Sequence, residues 1–481
     1  MHRKRNRWKM IRFIGHKLTQ WLKNKNRKPL ILRGARQVGK TWLVRDFAHR
    51  HDLYLIELNL ERSPHLADLF AGNDPAAVLQ NIEAELSMTI DPASSLLFLD
   101  EIQAAPELLS KLRWFKEEIP GLPVIAAGSL LEFALKRYPY SMPVGRITYF
   151  YMEQMSFFEF LLASGNKPLY QKLASYELNK DIPRPLHQKC LEFYYQYCLV
   201  GGMPEVVSEW MENQDPASCL KLQQDLLATF RDDFYKYGGE MDARLLADIM
   251  LSVPRQLGSK FVYSRVDPSL KILPVKKAFS LLCQAKVCSK ILHTTGNGLP
   301  LGAESNAKFF KSLMIDIGLV SAQLGLSAIK RQEQRDLFFT NKGGLAEQFV
   351  GQQLRFAQTP STDPQLFYWQ RTGGRLGEID YIIQHGSRVV PVEVKSGPAG
   401  KMKSLHQFMA EKKLDLAVRC NLNLPLVETI RVKTTLGQPV AYRLVSIPIY
   451  LSEHLPRLIE QVTPYRQTIA QEQEKSGRCL V

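Results

Sequence analysis

The residues from Gly34 to Thr41 constrain the fold of this chain more than any other stretch. They satisfy the phosphate-loop pattern GxxxxGK[ST]. An apolar, strand-like stretch at Pro29–Leu32 precedes them and a helical pattern at Thr41–His49 follows, which is the context that the motif requires. The backbone N–H groups of such a loop, together with the amino end of the helix, surround a phosphate anion. The pattern therefore predicts ATP binding by Gly34, Ala35, Arg36, Gln37, Val38, Gly39, Lys40 and Thr41.

Two positions of the loop and two later carboxylates have the residue types that phosphoryl transfer needs. We expect Lys40 to reach the β- and γ-phosphates and the Thr41 hydroxyl to ligate Mg²⁺. The apolar run Leu96–Leu99 then delivers Asp100 and Glu101 to the edge of a sheet where ligands bind. Asp100 is expected to hold the metal and Glu101 to orient or activate the attacking water. The alternative is a strand that meets a solvated turn.

Two further residues are candidates for sensing or stabilising the γ-phosphate. Ser129 follows the strand-like stretch at Pro123–Ala127, at the place where AAA-type ATPases keep a phosphate-sensing polar residue, but it could equally cap a helix at Leu130–Leu135. Arg146 is a candidate cationic finger that acts in cis or on a neighbouring chain. A plain salt bridge is the alternative for Arg146.

Alternation of strands and helices predicts an α/β chain that begins with a parallel sheet covered on both faces. After this first part of the chain, the sequence pattern changes to Leu-rich helical stretches and then back to alternating strands and helices. We expect a basic amphipathic arm, a P-loop domain, a helical region, an α/β domain and a tail, at residues 1–28, 29–152, 153–335, 336–455 and 456–481.

Several of these blocks together resemble a known family. The blocks are residues 29–49, residues 96–108, Gly145-Arg146, Met155–Phe160, Gly201–Pro204 and Asp316–Leu319. They are similar to the prokaryotic AAA-type ATPases known only as ATP-binding proteins, which have a conserved C-terminal region of unknown function. The resemblance implies a cytoplasmic ATPase with a winged-helix module in its middle region. In a DNA-binding role, Lys271, Lys276 and Lys277 of that module would face phosphates, whereas in a compact regulatory domain they would only be solvated.

Acidic and basic residues near the C-terminus form a second constellation. Glu378–Ile383 and the later Glu393-Val394-Lys395 are typical of two hairpin-linked strands, and Glu393 and Lys395 then share one face. With Glu347 on a preceding helix, the pattern resembles the PD-(D/E)xK nuclease core. That resemblance implies a metal site at Glu347, Asp380 and Glu393, with Asp380, Glu393 and Lys395 as catalytic residues. The Pro-Asp element is absent, and Arg371, Arg375 and Lys401 either contact phosphates or face water.

The net charge of +16 does not describe the whole surface. Fifteen of the 63 Lys and Arg residues lie within residues 1–45, before the first acidic residue, Asp46. A uniformly basic nucleic-acid coat is therefore excluded, and the arm either docks on the next domain or contacts nucleic acid or membrane. No apolar stretch is long enough to span a bilayer.

These observations leave three hypotheses open. The first is an Mg²⁺-dependent ATPase whose nucleotide state controls its C-terminal domain, and the second is an ATP-gated DNA-processing nuclease. The third is a nucleotide-sensing scaffold without enzymatic activity that binds a protein partner. Oligomerisation is compatible with all three.

Overall fold

A computed structural model describes residues 10–129, 131, 145–237, 243–326, 342–371, 377–396 and 402–462. The first nine residues of the arm, most of the helix expected at Leu130–Leu135, Arg375, Lys401 and most of the expected tail lie outside these ranges. The helices are α1 (Ile14–Lys23), α2 (Lys40–Arg50), α3 (Pro75–Leu86), α4 (Leu108–Glu118), α5 (Phe157–Ala163), α6 (Lys167–Ala174), α7 (Arg184–Val200), α8 (Pro204–Asn213), α9 (Pro216–Tyr237), α10 (Ala243–Arg255), α11 (Ile272–Gln284), α12 (Ile317–Gln323), the connecting helix α13 (Lys342–Phe356), α14 (Lys403–Glu411) and α15 (Leu455–Ile459).

The N-terminal strands form one five-stranded parallel sheet in the order β2–β3–β4–β1–β5. These strands are β1 (Leu30–Arg33), β2 (Tyr54–Asn59), β3 (Ser95–Asp100), β4 (Val124–Gly128) and β5 (Thr148–Tyr151). Alternate residues of β3 enter different cores: Leu97 packs with α3 and α4, and Phe98 with α2. Both faces are thus covered, as the near-continuous apolar strands predict.

The arm docks on this domain by its apolar face. Leu18 and Trp21 of α1 are buried in the same core as Leu43 of α2. The Trp21 indole N–H also donates to the Lys28 carbonyl oxygen at 2.8 Å. The docked-helix interpretation of the arm therefore fits residues 14–23, and their charged side chains remain at the surface.

The second sheet has eight strands in the order β12–β13–β11–β10–β9–β8–β6–β7. Its strands are β6 (Cys288–Thr294), β7 (Ser305–Met314), β8 (Leu366–Gln370), β9 (Glu378–His385), β10 (Arg388–Val394), β11 (Leu416–Asn421), β12 (Leu426–Lys433) and β13 (Pro439–Pro448). Residues of the connecting helix and of α14 lie in different cores on this sheet, with Phe349 in one and Phe408 in the other.

The hairpin β6–β7 changes the expected division of the chain. It follows the helices α10 and α11, as in a winged-helix module, but β6 pairs in parallel with β8. The boundary expected at residue 335 therefore separates strands of one continuous sheet. The predicted α/β class is confirmed: a parallel-sheet domain, a helical region and a mixed C-terminal sheet follow one another. Among the described residues, no helix is long and apolar enough to cross a membrane.

Candidate nucleotide site and C-terminal charge cluster

The phosphate loop leaves β1 after Arg33 and enters α2 at Lys40. Its backbone turns through positive φ at Gln37 (62°) and Gly39 (91°). At Gly34, a Cβ atom would lie 2.3 Å from the Met152 carbonyl oxygen, which follows β5. Only glycine allows this close approach, so the neighbouring strand end holds the loop against the sheet.

Lys40 is buried and its ammonium is held within the loop. Its Nζ donates to the carbonyl oxygens of Gly34 at 3.1 Å and Ala35 at 2.7 Å. Burial lowers the pKa of Lys40 to about 8, although the nearby Glu101 and Asp100 carboxylates oppose this shift. Neutral carbonyls are weaker partners for an ammonium than phosphate oxygens, so this lysine has charge available for an anionic ligand.

Thr41 and Asp100 meet at the carboxyl edge of the sheet. The Thr41 hydroxyl donates to the two Asp100 carboxylate oxygens at 3.1 and 3.3 Å, and the Asn59 amide lies 3.4 Å from one of them. Burial, and secondly Glu101, raise the pKa of Asp100 to about 6. The carboxylate is therefore ionised at neutral pH. A hydroxyl and a carboxylate oxygen are ligands that Mg²⁺ accepts, so the residues fit the metal expected with ATP.

Glu101 has left-handed backbone geometry, with φ of 54°, directly after β3. Its carboxylate accepts a hydrogen bond from the Gln103 side-chain amide. Gln103 also packs against Gly128, where a Cβ would lie 2.4 Å from the Gln103 Oε1 atom. Nothing in the local sequence pattern of Gln103 indicates this contact with Glu101.

Ser129 is buried one residue beyond Gly128, which pairs with Arg33 at the start of the phosphate loop. This position beside the loop is compatible with phosphate sensing. The helix that it would cap instead lies largely outside the described residues, and both roles therefore stay predictions.

Arg146 lies at the wrong edge of the sheet to act on ATP bound to its own chain. It precedes β5 by two residues, and β5 begins with Thr148 paired to Leu30, at the end of β1 opposite to the loop. Its Nε is 2.8 Å from Glu117 Oε1, and both side chains are exposed. The salt-bridge alternative fits this placement, and the finger role of Arg146 stays a prediction that the placement makes compatible only with a neighbouring chain.

Arg12 links the arm to the phosphate loop, a role that its place among the arm's basic residues does not indicate. Its guanidinium donates to the carbonyl oxygens of Val38 at 2.6 Å, Glu153 at 2.5 Å and Gln154 at 3.1 Å. It also pairs with Glu159 at 3.1 Å, and its side chain is only 3% exposed. Glu159 also closes a Ser-x-x-Glu capping box at the start of α5, which predicts the helix start but not this partner.

Two motifs of the family resemblance meet directly. The buried Asp316 carboxylate accepts hydrogen bonds from Gly202 N–H at 2.7 Å and from Gly318 N–H at 2.9 Å. A Cβ on Gly39 would lie 3.5 Å from the Pro204 ring, so the start of α8 approaches the phosphate loop. Asp316 therefore has a structural role, because its carboxylate joins the turn between α7 and α8 to the start of α12.

In the C-terminal sheet, three carboxylates converge on a lysine that the sequence analysis missed. Lys311 Nζ of β7 lies 2.8 Å from Glu347 Oε2 and 3.6 Å from Asp380 Oδ1, and it also pairs with Glu378. We call these four residues the Lys311 cluster. Burial, and secondly the Asp380 charge, raise the pKa of Glu347, whereas the Lys311 ammonium opposes this shift.

The remaining nuclease-like positions lie beside this cluster. Glu393 Oε1 is 2.5 Å from Lys395 Nζ, and the Val394 N–H donates to Asp380 Oδ2 at 2.7 Å. Burial, and secondly Asp380, raise the pKa of Glu393 to about 7. The structure thus brings together the predicted Glu347, Asp380, Glu393 and Lys395. Strand alternation could not have identified Lys311, which comes from a region expected to be a separate domain.

The cationic residues proposed to contact nucleic acid differ in their surroundings. Lys271, Lys276 and Lys277 are exposed near the start of α11. Arg371 instead pairs with Glu411 of α14. Its charge is therefore partly neutralised within the domain.

Comparisons with known proteins agree with this architecture. Residues 26–161 match a family model described as an AAA domain, whereas residues 191–330 and 342–435 match two domains of unknown function, DUF8612 and DUF4143. No curated protein matches the chain.

Solved structures with some similarity include a Walker-type ATPase of Pyrococcus abyssi, at 16% identity and a TM-score of 0.42, with 67% of this chain and 98% of that chain covered. Another is the RuvB Holliday junction branch migration motor of Thermotoga maritima, at 16% identity and a TM-score of 0.27, with 58% and 88% covered. Neither similarity is close enough to add to the assignment. From the family models and the site geometry, the chain has an AAA-type P-loop ATPase domain followed by a C-terminal domain of the DUF4143 type.

Proposed function

We propose that this chain binds MgATP at its phosphate loop, hydrolyses it and transmits the nucleotide state to its C-terminal domain. The observation that carries the proposal is the meeting of Lys40, Thr41 and Asp100 at one edge of the parallel sheet. Each of the three is held by partners that a bound nucleotide and its metal can replace.

Nucleotide binding exchanges the partners of Lys40. Its ammonium leaves the Gly34 and Ala35 carbonyls for β- and γ-phosphate oxygens, while the loop N–H groups and the amino end of α2 surround the phosphates. Thr41 and Asp100 would hold Mg²⁺, which supplies positive charge to the phosphate oxygens.

Hydrolysis then needs an oriented water molecule. The water oxygen forms a bond to the γ-phosphorus as the bond to the β–γ bridging oxygen breaks, and Glu101 orients the water and accepts its proton. Gln103 keeps the Glu101 carboxylate in place through its hydrogen bond. Ser129 is the candidate that contacts the γ-phosphate from the end of β4.

A continuous set of contacts leads from the phosphate loop to the C-terminal domain. Arg12 joins the Val38 carbonyl of the loop to the Glu153 carbonyl. The Glu153 carboxylate in turn accepts two hydrogen bonds, at 2.7 and 3.1 Å, from Arg355. Arg355 lies two turns from Glu347 on the connecting helix, so a shift of the loop can reach the Lys311 cluster through packed elements.

Space for such a shift exists at this junction. Arg12, Glu153 and Arg355 line a cavity of about 440 Å³ between the edge of the ATPase sheet and the end of the connecting helix. Nearby, the Tyr151 N–H of β5 donates to the Pro360 carbonyl oxygen at 2.7 Å. The loop after the connecting helix thus contacts the ATPase sheet edge directly, which makes it sensitive to movements of that edge.

The catalytic part of the proposal is tested with Glu101→Gln in the full chain. We expect ATP affinity within about twofold of wild type and turnover at least about 100-fold lower, because the acceptor for the water proton is lost. Glu118→Gln, which changes an exposed carboxylate on α4, is the matched control and should leave both values unchanged. Normal turnover in Glu101→Gln would refute this role.

The coupling part is tested with Arg355→Met, which removes the pair with Glu153. Hydrogen exchange of the connecting helix is measured with and without a non-hydrolysable ATP analogue. We expect a nucleotide-dependent change in wild type and in the control Arg388→Met, and its loss in Arg355→Met. No change in wild type would contradict the coupling.

A second candidate is an ATP-gated nuclease, which is favoured by the convergence of Glu347, Asp380, Glu393 and Lys395. Cleavage of plasmid or single-stranded DNA by the pure protein with Mg²⁺ and ATP, abolished by Asp380→Ala without loss of fold, would support it. Intact DNA under these conditions instead favours a nucleotide-sensing scaffold for a protein partner. Turnover of ATP that is indifferent to single-stranded and duplex DNA would point the same way.

A further inference from the structure

The C-terminal carboxylates have the chemistry of a divalent-metal site. One oxygen from each of Glu347, Glu378 and Asp380 lies within 4.8 Å of the others. A divalent cation would need these oxygens at roughly 2.0–2.6 Å. The spacing alone would therefore fit a divalent metal, with Glu378 in place of the Glu393 that the nuclease resemblance implies as the third ligand.

A cation from the protein itself already contacts these three residues. The Lys311 ammonium donates to Glu347 at 2.8 Å, pairs with Glu378 and lies 3.6 Å from Asp380. A metal ion bound to the same oxygens would meet this ammonium at close range, and two cations in a site with little water repel each other strongly. The carboxylates as arranged thus fit an ammonium and do not fit a divalent ion beside it.

The surrounding structure fixes Lys311 in this position. Its side chain is 1% exposed, and the Tyr368 ring centroid is 5.5 Å from its Nζ. Its neighbour Phe310 packs in the core, and the Phe261 N–H donates to the Phe310 carbonyl oxygen at 2.9 Å. The ammonium is therefore buried between the three carboxylates and the Tyr368 ring.

The lysine and the carboxylates come from different parts of the chain. Lys311 lies on β7, in the stretch that matches DUF8612, whereas Glu347, Glu378 and Asp380 lie in the stretch that matches DUF4143. Beside them, Lys395 pairs with Glu393 in a similar way. Removing one partner from a buried ion pair leaves an uncompensated charge. The pairing of Lys311 with the three carboxylates therefore holds the hairpin β6–β7 on the C-terminal domain.

We propose that the Lys311 ammonium is the resident cation of the C-terminal site, in the place of a divalent metal, and that the site joins the middle region to the C-terminal domain. This inference concerns a different site from the phosphate loop and does not depend on ATP hydrolysis. It counts against the ATP-gated nuclease, which needs a divalent metal at these carboxylates.

The test is a Mn²⁺ titration of nucleotide-free full-length protein, followed by electron paramagnetic resonance. Wild type should show no saturable Mn²⁺ binding that is sensitive to Asp380→Asn. Lys311→Met keeps the length of the side chain but removes its charge, and it should bind one Mn²⁺ at least about tenfold more tightly than wild type, because the carboxylates then lack their cation. The gained site should disappear in Lys311→Met/Asp380→Asn.

Lys308→Met is the matched control, since Lys308 is exposed on the same strand. It should behave as wild type. Saturable Mn²⁺ binding to wild type that Asp380→Asn removes would overturn the proposal, as would a folded Lys311→Met that gains no Mn²⁺. If Lys311→Met does not fold, the comparison of wild type with Asp380→Asn decides the question alone.

Discussion

Two buried lysines, Lys40 and Lys311, have opposite electrostatic surroundings. Lys40 is held by backbone carbonyls, and burial lowers its pKa to about 8. Lys311 is held by three carboxylates, and their charges outweigh burial and raise its pKa well above its ordinary value. Lys40, whose partners are neutral, can therefore bind an anionic ligand. Lys311, whose partners are carboxylates, is already neutralised within the protein.

The largest expected effect is on stability at the second lysine. Lys311→Ala leaves Glu347, Glu378 and Asp380 without their cation, and the free energy of unfolding should fall by about 3–5 kcal/mol. Chemical denaturation measures this loss. Lys308→Ala should stay within about 0.5 kcal/mol of wild type, and a loss below about 1 kcal/mol in Lys311→Ala would show that the cluster contributes little.

At the first lysine, the effect should appear in ligand affinity. Lys40→Ala should weaken ATP binding at least about 100-fold, or about 2.7 kcal/mol, because the charged partner of the phosphates is removed. Calorimetry or a fluorescent ATP analogue measures the affinity. The control is Lys111→Ala, whose ammonium contacts the carbonyls of Ala71 and Gly72 on the surface. Normal ATP affinity in Lys40→Ala would contradict the assignment of the phosphate loop as the ATP site.

The pH dependence of ATP affinity should reveal the lowered pKa of Lys40. Below about pH 8 the free protein already has the charged lysine, so affinity should be nearly constant from pH 7 to 7.5. Above about pH 8 the lysine must take up a proton on binding, and affinity should fall by up to about tenfold per pH unit, or about 1.4 kcal/mol. Constant affinity up to pH 9.5 would contradict the lowered pKa.

The smallest effect is expected at Arg146. Arg146→Ala removes an exposed pair with Glu117, and such pairs contribute about 0–1 kcal/mol. Turnover of ATP at low protein concentration should stay within about twofold of wild type, because the arginine lies at the far edge of the sheet. A large fall in turnover there would contradict this placement.

The sequence predicts best the features that depend on local pattern. The phosphate loop, Asp100 and Glu101 follow from a motif and a neighbouring apolar strand, and the structure brings Lys40, Thr41 and Asp100 together. The strand β5 was missed, because Thr148–Tyr151 is short and is recognisable only by its pairing with β1. The hairpin of β12 and β13 was also missed, although its strands have eight and ten residues.

Features that arise from packing between distant segments could not be predicted. Arg12 becomes the link between the arm and the loop only when Val38, Glu153 and Glu159 are brought around it. Lys311 is similar, since the strand that carries it joins the C-terminal sheet through β6. For both residues the sequence shows that the side chain is charged, but the partners of that charge depend on the fold.

The most direct test of the contrast between the two lysines is the number of Mn²⁺ ions bound per chain with a non-hydrolysable ATP analogue. We expect one ion, bound with the nucleotide at Thr41 and Asp100, and none in Lys40→Ala. Two ions per chain, or one ion that survives Lys40→Ala and is lost in Asp380→Asn, would contradict it.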